Sequence, residues 1–171
     1  MTSDLDIALA SDGLVVPGVG AYAACMEQLI AARGDQLIKE RVASEKPIIG
    51  ICVGMQILFS AGSEKGGHLG VGIFEGDVTM MSAPILPHIG WNNVVADPAS
   101  HLFAGLTNEQ FYFVHSFAAH DGVSQALNSW CEYGDPFVAA VERGSVSAVQ
   151  FHPEKSGAAG ARLIANWAQT L

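Results

Sequence analysis

The stretch PIIGICVGMQ, residues 47–56, decides the fold. Its first half, PIIGI, is apolar at nearly every position instead of alternating with polar residues, which is typical of a central parallel strand covered on both faces. After Gly54 the spacing of the apolar residues becomes helical. We therefore predict that Cys52 lies at a sharp turn between a strand and a helix, at the carboxyl end of the strand.

Residues 50–54 have the form GxCxG, the thiol counterpart of the GxSxG nucleophile elbow. A side chain raised on such a turn needs small neighbours, which Gly50 and Gly54 provide. The start of the following helix is expected to favour a thiolate at Cys52, and the amide of Val53 points to where an oxyanion would form. The alternative interpretation is a buried and inert cysteine, the commoner fate of a free thiol.

A second motif, HPE, follows the predicted strand SVSAVQF at residues 145–151. The strand period of two places His152 and Glu154 on one side. A carboxylate that orients an imidazole, which in turn deprotonates a thiol, is the arrangement that covalent catalysis requires. Alone, HPE is more often a solvated loop with an incidental histidine. Because both motifs end strands at the same edge of one sheet, we predict a triad of Cys52, His152 and Glu154.

The remaining sequence predicts one α/β domain over residues 1–171. A short strand at 13–16, a helical stretch at 22–44 and the strand before Cys52 form a βαβ unit. The chain is β-rich from about residue 70 to 151, and it ends with a helical stretch at 157–171. We expect a single layered domain with a mostly parallel central sheet and additional antiparallel hairpins.

The loop PGVG at residues 17–20 follows the first predicted strand and precedes a helix. Its backbone amides lie near the same sheet edge as Cys52 and are candidates for a second oxyanion donor, although a simple glycine-rich turn has the same sequence. The chain contains neither GxxxxGK[ST] nor GxGxxG, so we predict no nucleotide site.

Composition limits the partners of this chain. Its 171 residues are half hydrophobic, enough for one well-buried core. Asp and Glu number 17 against 8 Lys and Arg, a net charge of −9, so nucleic acid is an unexpected partner. The longest apolar stretch, residues 47–59, falls short of the roughly 20 residues that a membrane span requires. The first eleven residues lack the pattern of a secretory signal, and we expect a cytoplasmic protein.

Neither cysteines nor histidines show the spacing of a metal site. Cys25, Cys52 and Cys131 form no CxxC pair and are expected to be reduced thiols. The histidines outside HPE show no HxH or HExxH pattern. We therefore expect neither a metal nor another cofactor.

Five motifs occur in an order that resembles one enzyme family: PGVGAY, GICVGMQILF, PHIGWN, FYFVHSF and QFHPEKS. They resemble the glutaminase subunits of imidazole glycerol phosphate synthases, which are class I (triad) glutamine amidotransferases. The resemblance runs from about Asp12 to the end of the chain. HPEKS together with GWN and FYFVHS separates this subgroup from other triad amidotransferases.

The resemblance implies a role for each matching residue. Cys52 attacks the side-chain amide of glutamine, and His152, held by Glu154, shuttles protons while a glutamyl thioester forms. An amide near Val19 or Gly20 joins Val53 in the oxyanion hole after the loop reorients. The implied glutamine-binding residues are Gly18, Gly54 and Gln56, with the backbone of His115, Ser116 and Phe117.

The resemblance also implies a partner, a separate cyclase subunit with a (β/α)8 barrel that receives the ammonia. The residues matching Trp91, Tyr112 and Lys155 lie at the subunit contact, with Asn92 beside them. Without the resemblance, Trp91 and Tyr112 would be interpreted as core aromatics and Lys155 as an exposed loop lysine. Two alternatives remain, an amidotransferase subunit for another acceptor and a catalytically inactive module that stabilises its partner.

The beginning of the chain differs from the family pattern. The family usually has a further strand, loop and helix before the segment that matches residues 1–16. We therefore expect that the domain is truncated at its N-terminus, which would expose backbone groups at a sheet edge and leave part of the sheet uncovered. The segment from Gly70 to Pro87 is also short for the family.

Overall fold

A computed structural model describes residue 2 and residues 4–171. The helices are α1 (Leu5–Ala10), α2 (Tyr22–Ala31), α3 (Gly34–Ala43), α4 (Val53–Gln56) and α5 (Gly157–Ala168), with 3-10 turns at Glu64–Gly66 and Pro153–Lys155. The strands are β1 (Leu14–Gly18), β2 (Ile48–Cys52), β3 (Ala61–Gly62), β4 (His68–Leu69), β5 (Asp77–Met80), β6 (His88–Asn93), β7 (Gln110–His115), β8 (Phe117–Ala119), β9 (Leu127–Tyr133), β10 (Asp135–Arg143) and β11 (Val146–Val149).

The central sheet has five strands in the order β1-β2-β11-β10-β9. β1 and β11 flank β2 in parallel, whereas β10 and β9 extend the sheet in antiparallel fashion. The predicted α/β class is confirmed, and so is the position of Cys52 as the last residue of a central strand. The parallel pairing places Gly18 of β1 opposite Cys52.

Strand β2 is buried on both faces, as its unbroken apolar sequence predicts. Ile48 belongs to a core cluster that includes Met26 and Ile38 of helices α2 and α3. Ile49 faces the other way, into a second cluster with Phe151 and with Leu163 of helix α5. The sheet therefore lies between two layers, and its carboxyl edge is left for loops.

The single helical stretch predicted at 22–44 is wrong in one respect, because the structure divides it into α2 and α3. Arg33 has a left-handed backbone, with φ of 56°, and Gly34 begins the second helix. The residues on either side keep helical spacing, so periodicity alone does not detect one left-handed residue.

The β-rich region forms hairpins and two smaller sheets. A turn at Gly134 joins β9 to β10, and a turn at Gly144 joins β10 to β11, so these predicted hairpins are confirmed. A four-stranded sheet has the order β4-β3-β5-β8, and β6 pairs with β7. Within residue 2 and residues 4–171, no helix is long and apolar enough to cross a membrane.

Arg41 on helix α3 holds the segment between α1 and β1. Its side chain is fully buried. Nη1 donates to the carbonyl oxygens of Ala8 and Ser11, both at 2.9 Å, and Nη2 donates to those of Asp12 (3.1 Å) and Pro47 (3.0 Å). Ala8 lies in the last turn of helix α1, Ser11 and Asp12 lie between this helix and β1, and Pro47 precedes β2. One guanidinium therefore provides hydrogen bonds that the local backbone does not supply.

We expect Arg41→Met to lower the free energy of unfolding by about 2–4 kcal/mol, because the carbonyls of Ser11 and Asp12 lose their donor and those of Ala8 and Pro47 lose one of two. Urea unfolding followed by circular dichroism measures the change. Lys39→Met on the exposed side of the same helix is the matched control and should change stability by less than about 0.5 kcal/mol. Equal stability of the two variants would contradict this role of Arg41.

Candidate active site

Cys52 lies at a strained turn between β2 and α4. Its φ of 56° and ψ of −116° are rare for a residue with a side chain. The side chain is buried. Such a backbone lifts the thiol out of the strand and directs it into the space at the carboxyl edge of the sheet, so the predicted nucleophile elbow is present.

Two glycines make the elbow possible. A Cβ atom added to Gly54 would lie 1.8 Å from the carbonyl oxygen of Val16, and one added to Gly50 would lie 2.7 Å from the carbonyl oxygen of Gly54. A Cβ on Gly18 would lie 2.4 Å from the amide nitrogen of Gly54. Gly18 and Gly54, predicted to bind substrate, thus lie behind the elbow, at the point where strand β1 packs closely against it.

The predicted contact between His152 and Glu154 is present, but the strand period of two does not produce it, because β11 ends at Val149 and Glu154 lies in the 3-10 turn at Pro153–Lys155. Nδ1 of His152 donates to Oε1 of Glu154 at 2.7 Å. The backbone of His152 is held from both sides, because its amide donates to the carbonyl of Tyr112 (2.9 Å) and its carbonyl accepts from Oγ of Ser156 (2.7 Å). Nε2 of His152 is buried without a hydrogen-bond partner among the described residues. That nitrogen is the one free to exchange a proton with a ligand or with Cys52.

Cys52 and His152 line one cavity of about 350 Å³. Its wall consists of Val19, Gly20, Cys52, Val53, Gln56, Glu64, Val114, His115, Ser116, Phe117, His152 and Lys155. A larger, open depression of about 880 Å³ lies near Pro47 and Gly144 at the opposite ends of the strands. Cys52 and His152 line the smaller cavity and not the larger depression, so we assign the site to the smaller cavity.

The residues predicted at a subunit contact lie next to this cavity. Trp91 and Tyr112 are paired across β6 and β7, with ring centroids 6.0 Å apart, and Trp91 is 53% exposed. Nζ of Lys155, which lines the cavity, lies 5.9 Å from the centre of the Tyr112 ring. Asn92 points to the inner face of β6, where its Nδ2 donates to the carbonyl of Glu132 (3.0 Å).

The expectation of a thiolate at Cys52 is wrong for this structure. Burial raises the pKa of Cys52 to about 11, which outweighs the lowering by the nearby amide of Val53. Helix α4 has only four residues, so its dipole is small. The thiol is therefore protonated at neutral pH, and a base must remove its proton during the reaction.

Three side chains at the site were missed by reasoning from the sequence motifs. Glu64 reaches the cavity wall from a glycine-rich segment, and its carboxylate accepts from the amide of Tyr22 at 2.7 Å. Gln150 donates to Sγ of Cys52 at 3.9 Å. Ser156 is part of the HPEKS motif, but its support of His152 follows only from the burial of its hydroxyl.

Comparison with known families agrees with this geometry. The family described as "Glutamine amidotransferase class-I" matches residues 2–170. The chain belongs to this family. The family assignment covers nearly the whole chain, so it includes both the elbow and the HPE segment.

Two amidotransferase relatives illustrate the similarity in sequence. An imidazole glycerol phosphate synthase subunit HisH of Mycolicibacterium paratuberculosis is 53% identical over 175 residues, which cover 100% of this chain and 85% of that protein. The HisH subunit of Streptomyces coelicolor is 51% identical over 181 residues, which cover 100% of this chain and 82% of that protein.

Solved amidotransferase structures share the fold at low sequence identity. A crystal structure of a glutamine amidotransferase covers 93% of this chain and 78% of its own, with a TM-score of 0.72 and 18% identity. A glutamine amidotransferase from Thermotoga maritima covers 92% of this chain and 61% of its own, with a TM-score of 0.60 and 21% identity. These matches support the α/β architecture and nothing finer.

A metal centre finds no support in the part of the chain that the structure describes, because no group of three His, Cys, Asp or Glu side chains there has a suitable arrangement. The other two cysteines do not line the cavity, although Cys25 bonds to a residue that does. Cys131 is buried in the core, and Sγ of Cys25 donates to the carbonyl of Val19 at 3.3 Å.

The raised pKa of Cys52 predicts how its alkylation depends on pH. In the ligand-free folded chain, the rate with iodoacetamide should rise about tenfold per pH unit from pH 7 to 10, because thiolate is the reactive form and remains a minor species below pH 11. Mass spectrometry of the Cys52 peptide measures the rate. The chain unfolded in urea is the control. Its alkylation rate should level off as the pH passes the ordinary pKa of a cysteine thiol, about 8.5. A plateau below pH 8 in the folded chain would contradict the prediction.

Proposed function

We propose that the chain hydrolyses L-glutamine to glutamate and ammonia with Cys52, His152 and Glu154, and that it delivers the ammonia to the cyclase subunit of an imidazole glycerol phosphate synthase in histidine biosynthesis. The observation that carries the proposal is the shared cavity, whose wall includes both Cys52 and the carboxylate-bound imidazole of His152, with its Nε2 free of hydrogen-bond partners among the described residues. The relatives that are 51–53% identical over the whole chain support this acceptor.

The first half of the reaction forms a thioester. Nε2 of His152 removes the proton of the Cys52 thiol as Sγ attacks the carbonyl carbon of the glutamine side chain. The amide of Val53 stabilises the oxyanion, and the amide near Val19 or Gly20 is the candidate second donor. When the C–N bond breaks, the imidazolium returns its proton to the departing nitrogen, so ammonia leaves.

The second half regenerates the thiol. Nε2 of His152 removes a proton from water, and the resulting hydroxide attacks the thioester carbonyl. Collapse of this intermediate breaks the C–S bond and releases glutamate, and the imidazolium protonates Sγ of Cys52. Glu154 stabilises each imidazolium through the hydrogen bond to Nδ1, which also fixes the orientation of the ring.

The cavity wall matches the polar groups of glutamine. Gln56 donates both amide hydrogens to protein atoms, the carbonyl of Phe117 (2.8 Å) and Oε1 of Gln150 (2.9 Å). Its Oε1 therefore serves a ligand only as an acceptor, which suits an amide or ammonium group. Glu64 adds a carboxylate for the ammonium group, and Lys155 adds a cation for the carboxylate of the substrate.

Substitution of the triad tests the activity. With the ligand-bound cyclase partner present, Cys52→Ala should abolish glutamate release, and Glu154→Gln should lower kcat by about 100-fold or more because the imidazole loses its orienting charge. An enzyme-coupled glutamate assay measures both. Cys131→Ala, which changes a buried thiol away from the cavity, is the control and should retain activity.

Covalent labelling separates the proposal from an inactive partner-stabilising module. An electrophilic glutamine analogue should modify Cys52 in the wild-type complex and should not modify the Cys52→Ala variant. Two outcomes would contradict the proposed mechanism. One is glutamate release by Cys52→Ala equal to that of the wild type, and the other is an unlabelled Cys52 in the wild-type complex.

The exposed aromatic patch around Trp91 is the proposed contact with the cyclase subunit, for which we expect the (β/α)8 barrel of the family. Ile89 and Trp91 point outward from the same face of β6, at 58% and 53% exposure. Lys155 connects this face to the cavity through Tyr112. A partner seated here would cover the cavity and keep ammonia from solvent.

Trp91→Ala should weaken binding of the cyclase subunit by about tenfold or more, because exposed tryptophans that become buried are frequent hot spots of interfaces. Isothermal titration calorimetry measures the dissociation constant. Ile30→Ala removes a comparably exposed apolar side chain on helix α2 and should leave the affinity unchanged. Equal losses in the two variants would place the contact elsewhere.

A further inference from the structure

Two buried histidines form a hydrogen-bonded pair behind the cavity. Nδ1 of His88 lies 3.1 Å from Nε2 of His115, and Nδ1 of His115 lies 3.0 Å from the carbonyl oxygen of Phe117. Both imidazoles are buried. His115 and Phe117 line the cavity with Cys52, whereas His88 is outside its wall. None of the triad chemistry uses His88.

The chemistry of the atoms fixes the direction of these hydrogen bonds. A carbonyl oxygen only accepts, so Nδ1 of His115 carries a proton. Burial lowers the pKa of His115 to about 3, so the ring is neutral at pH 7 and its Nε2 is an acceptor. Nδ1 of His88 must then be the donor. Burial lowers the pKa of His88 to about 4, so its own Nε2 is an acceptor as well.

Asn92 completes the pair on its outer side. Its Nδ2 lies 3.4 Å from Nε2 of His88 and also donates to the carbonyl of Glu132 at 3.0 Å. The His88 ring is further stacked on Tyr133, with centroids 3.9 Å apart, and on Phe113, at 4.9 Å. His88 is thus held by aromatic packing and by polar contacts at both ring nitrogens.

On the inner side the same carbonyl joins the pair to the proposed glutamine ligands. The Phe117 oxygen accepts from Nδ1 of His115 and from Nε2 of Gln56 (2.8 Å). Gln56 donates its other amide hydrogen to Gln150, whose Nε2 reaches Sγ of Cys52 at 3.9 Å. Both lone pairs of one carbonyl are therefore engaged, one by His115 and one by Gln56.

We propose that His88 is a positioning residue of the glutamine cavity: its Nδ1–H holds the His115 ring in the orientation that fixes the Phe117 carbonyl and, through it, Gln56. The proposal rests on the proposed glutaminase function. Loss of the His88 donor would leave Nε2 of His115 as a buried acceptor without a partner, which favours rotation of the ring or a change of tautomer. Either change removes a donor from the Phe117 carbonyl.

Nuclear magnetic resonance tests the proton positions without any need for activity. Long-range 1H–15N spectra of the full chain labelled with 15N-histidine should show His88 and His115 protonated on Nδ1 and unprotonated on Nε2 at pH 7. In His88→Phe the His115 signals should shift, because the ring loses the hydrogen bond at Nε2. In His88→Asn they should stay close to wild type, because the amide nitrogen occupies a place near Nδ1. A wild-type His115 protonated on Nε2 overturns the proposal.

Kinetics of the complex with the cyclase subunit tests the effect on the cavity. His88→Phe retains a ring for stacking on Tyr133 and should raise the KM for glutamine about tenfold while kcat changes less than about threefold, since binding rather than chemistry is disturbed. His88→Asn should keep KM within about threefold of wild type. Phe113→Leu is the matched control, because it disturbs the same aromatic packing and no hydrogen bond of the series. It should lower the melting temperature and leave KM unchanged.

The outcomes separate this proposal from the proposed function. An unchanged KM in His88→Phe, or an equal rise of KM in Phe113→Leu, overturns the positioning role. A wild-type complex that releases no glutamate overturns the glutaminase function instead. In that case the His115 tautomer decides the positioning role alone: a shift in His88→Phe that is absent from His88→Asn supports it, and no shift in His88→Phe overturns it.

Discussion

The site depends on the close packing of strand β1 against the turn at Cys52. The carbonyl of Val16 lies where a Cβ of Gly54 would be, and a Cβ of Gly18 would overlap the amide of Gly54. This contact helps to hold the chain in the turn at Cys52. The φ and ψ angles of Cys52 would be unfavourable without such support. The parallel pairing of β1 with β2 provides the contact, so the sheet holds the nucleophile in place.

Burial of Cys52 at this edge of the sheet determines the protonation state of its thiol and its need for a base. A desolvated thiol resists ionisation, and the pKa of Cys52 rises to about 11. The nucleophile therefore depends on Nε2 of His152, which is buried and without a hydrogen-bond partner in the described chain, while Nδ1 is bound to Glu154. Behind the cavity, His88 is hydrogen-bonded to His115, and Gln56 is hydrogen-bonded to Gln150.

The expectations that were wrong concern single residues, whose conformation and burial the periodicity of the sequence does not reveal. One left-handed residue, Arg33, divides a helical stretch whose spacing is otherwise regular. The thiolate expected at Cys52 assumed an effective helix dipole, but α4 has four residues and burial dominates. The roles of single substrate and interface residues, such as Gln56 and Trp91, stay predictions; Gln56 lines the cavity and Trp91 is exposed.

The sequence by itself determined the α/β class and the elbow and predicted the members of the proposed triad, because each depends on spacing within a few residues and on the order of strand ends along one sheet edge. Only the tertiary structure decided that Glu64 lines the cavity, that Gln150 reaches Cys52 and that His88 bonds to His115. The hydrogen bond of Gln56 with Gln150 connects residues 94 positions apart, and that of His88 with His115 connects residues 27 positions apart. Contacts of this kind follow from how strands pair and what becomes buried, which local periodicity does not encode.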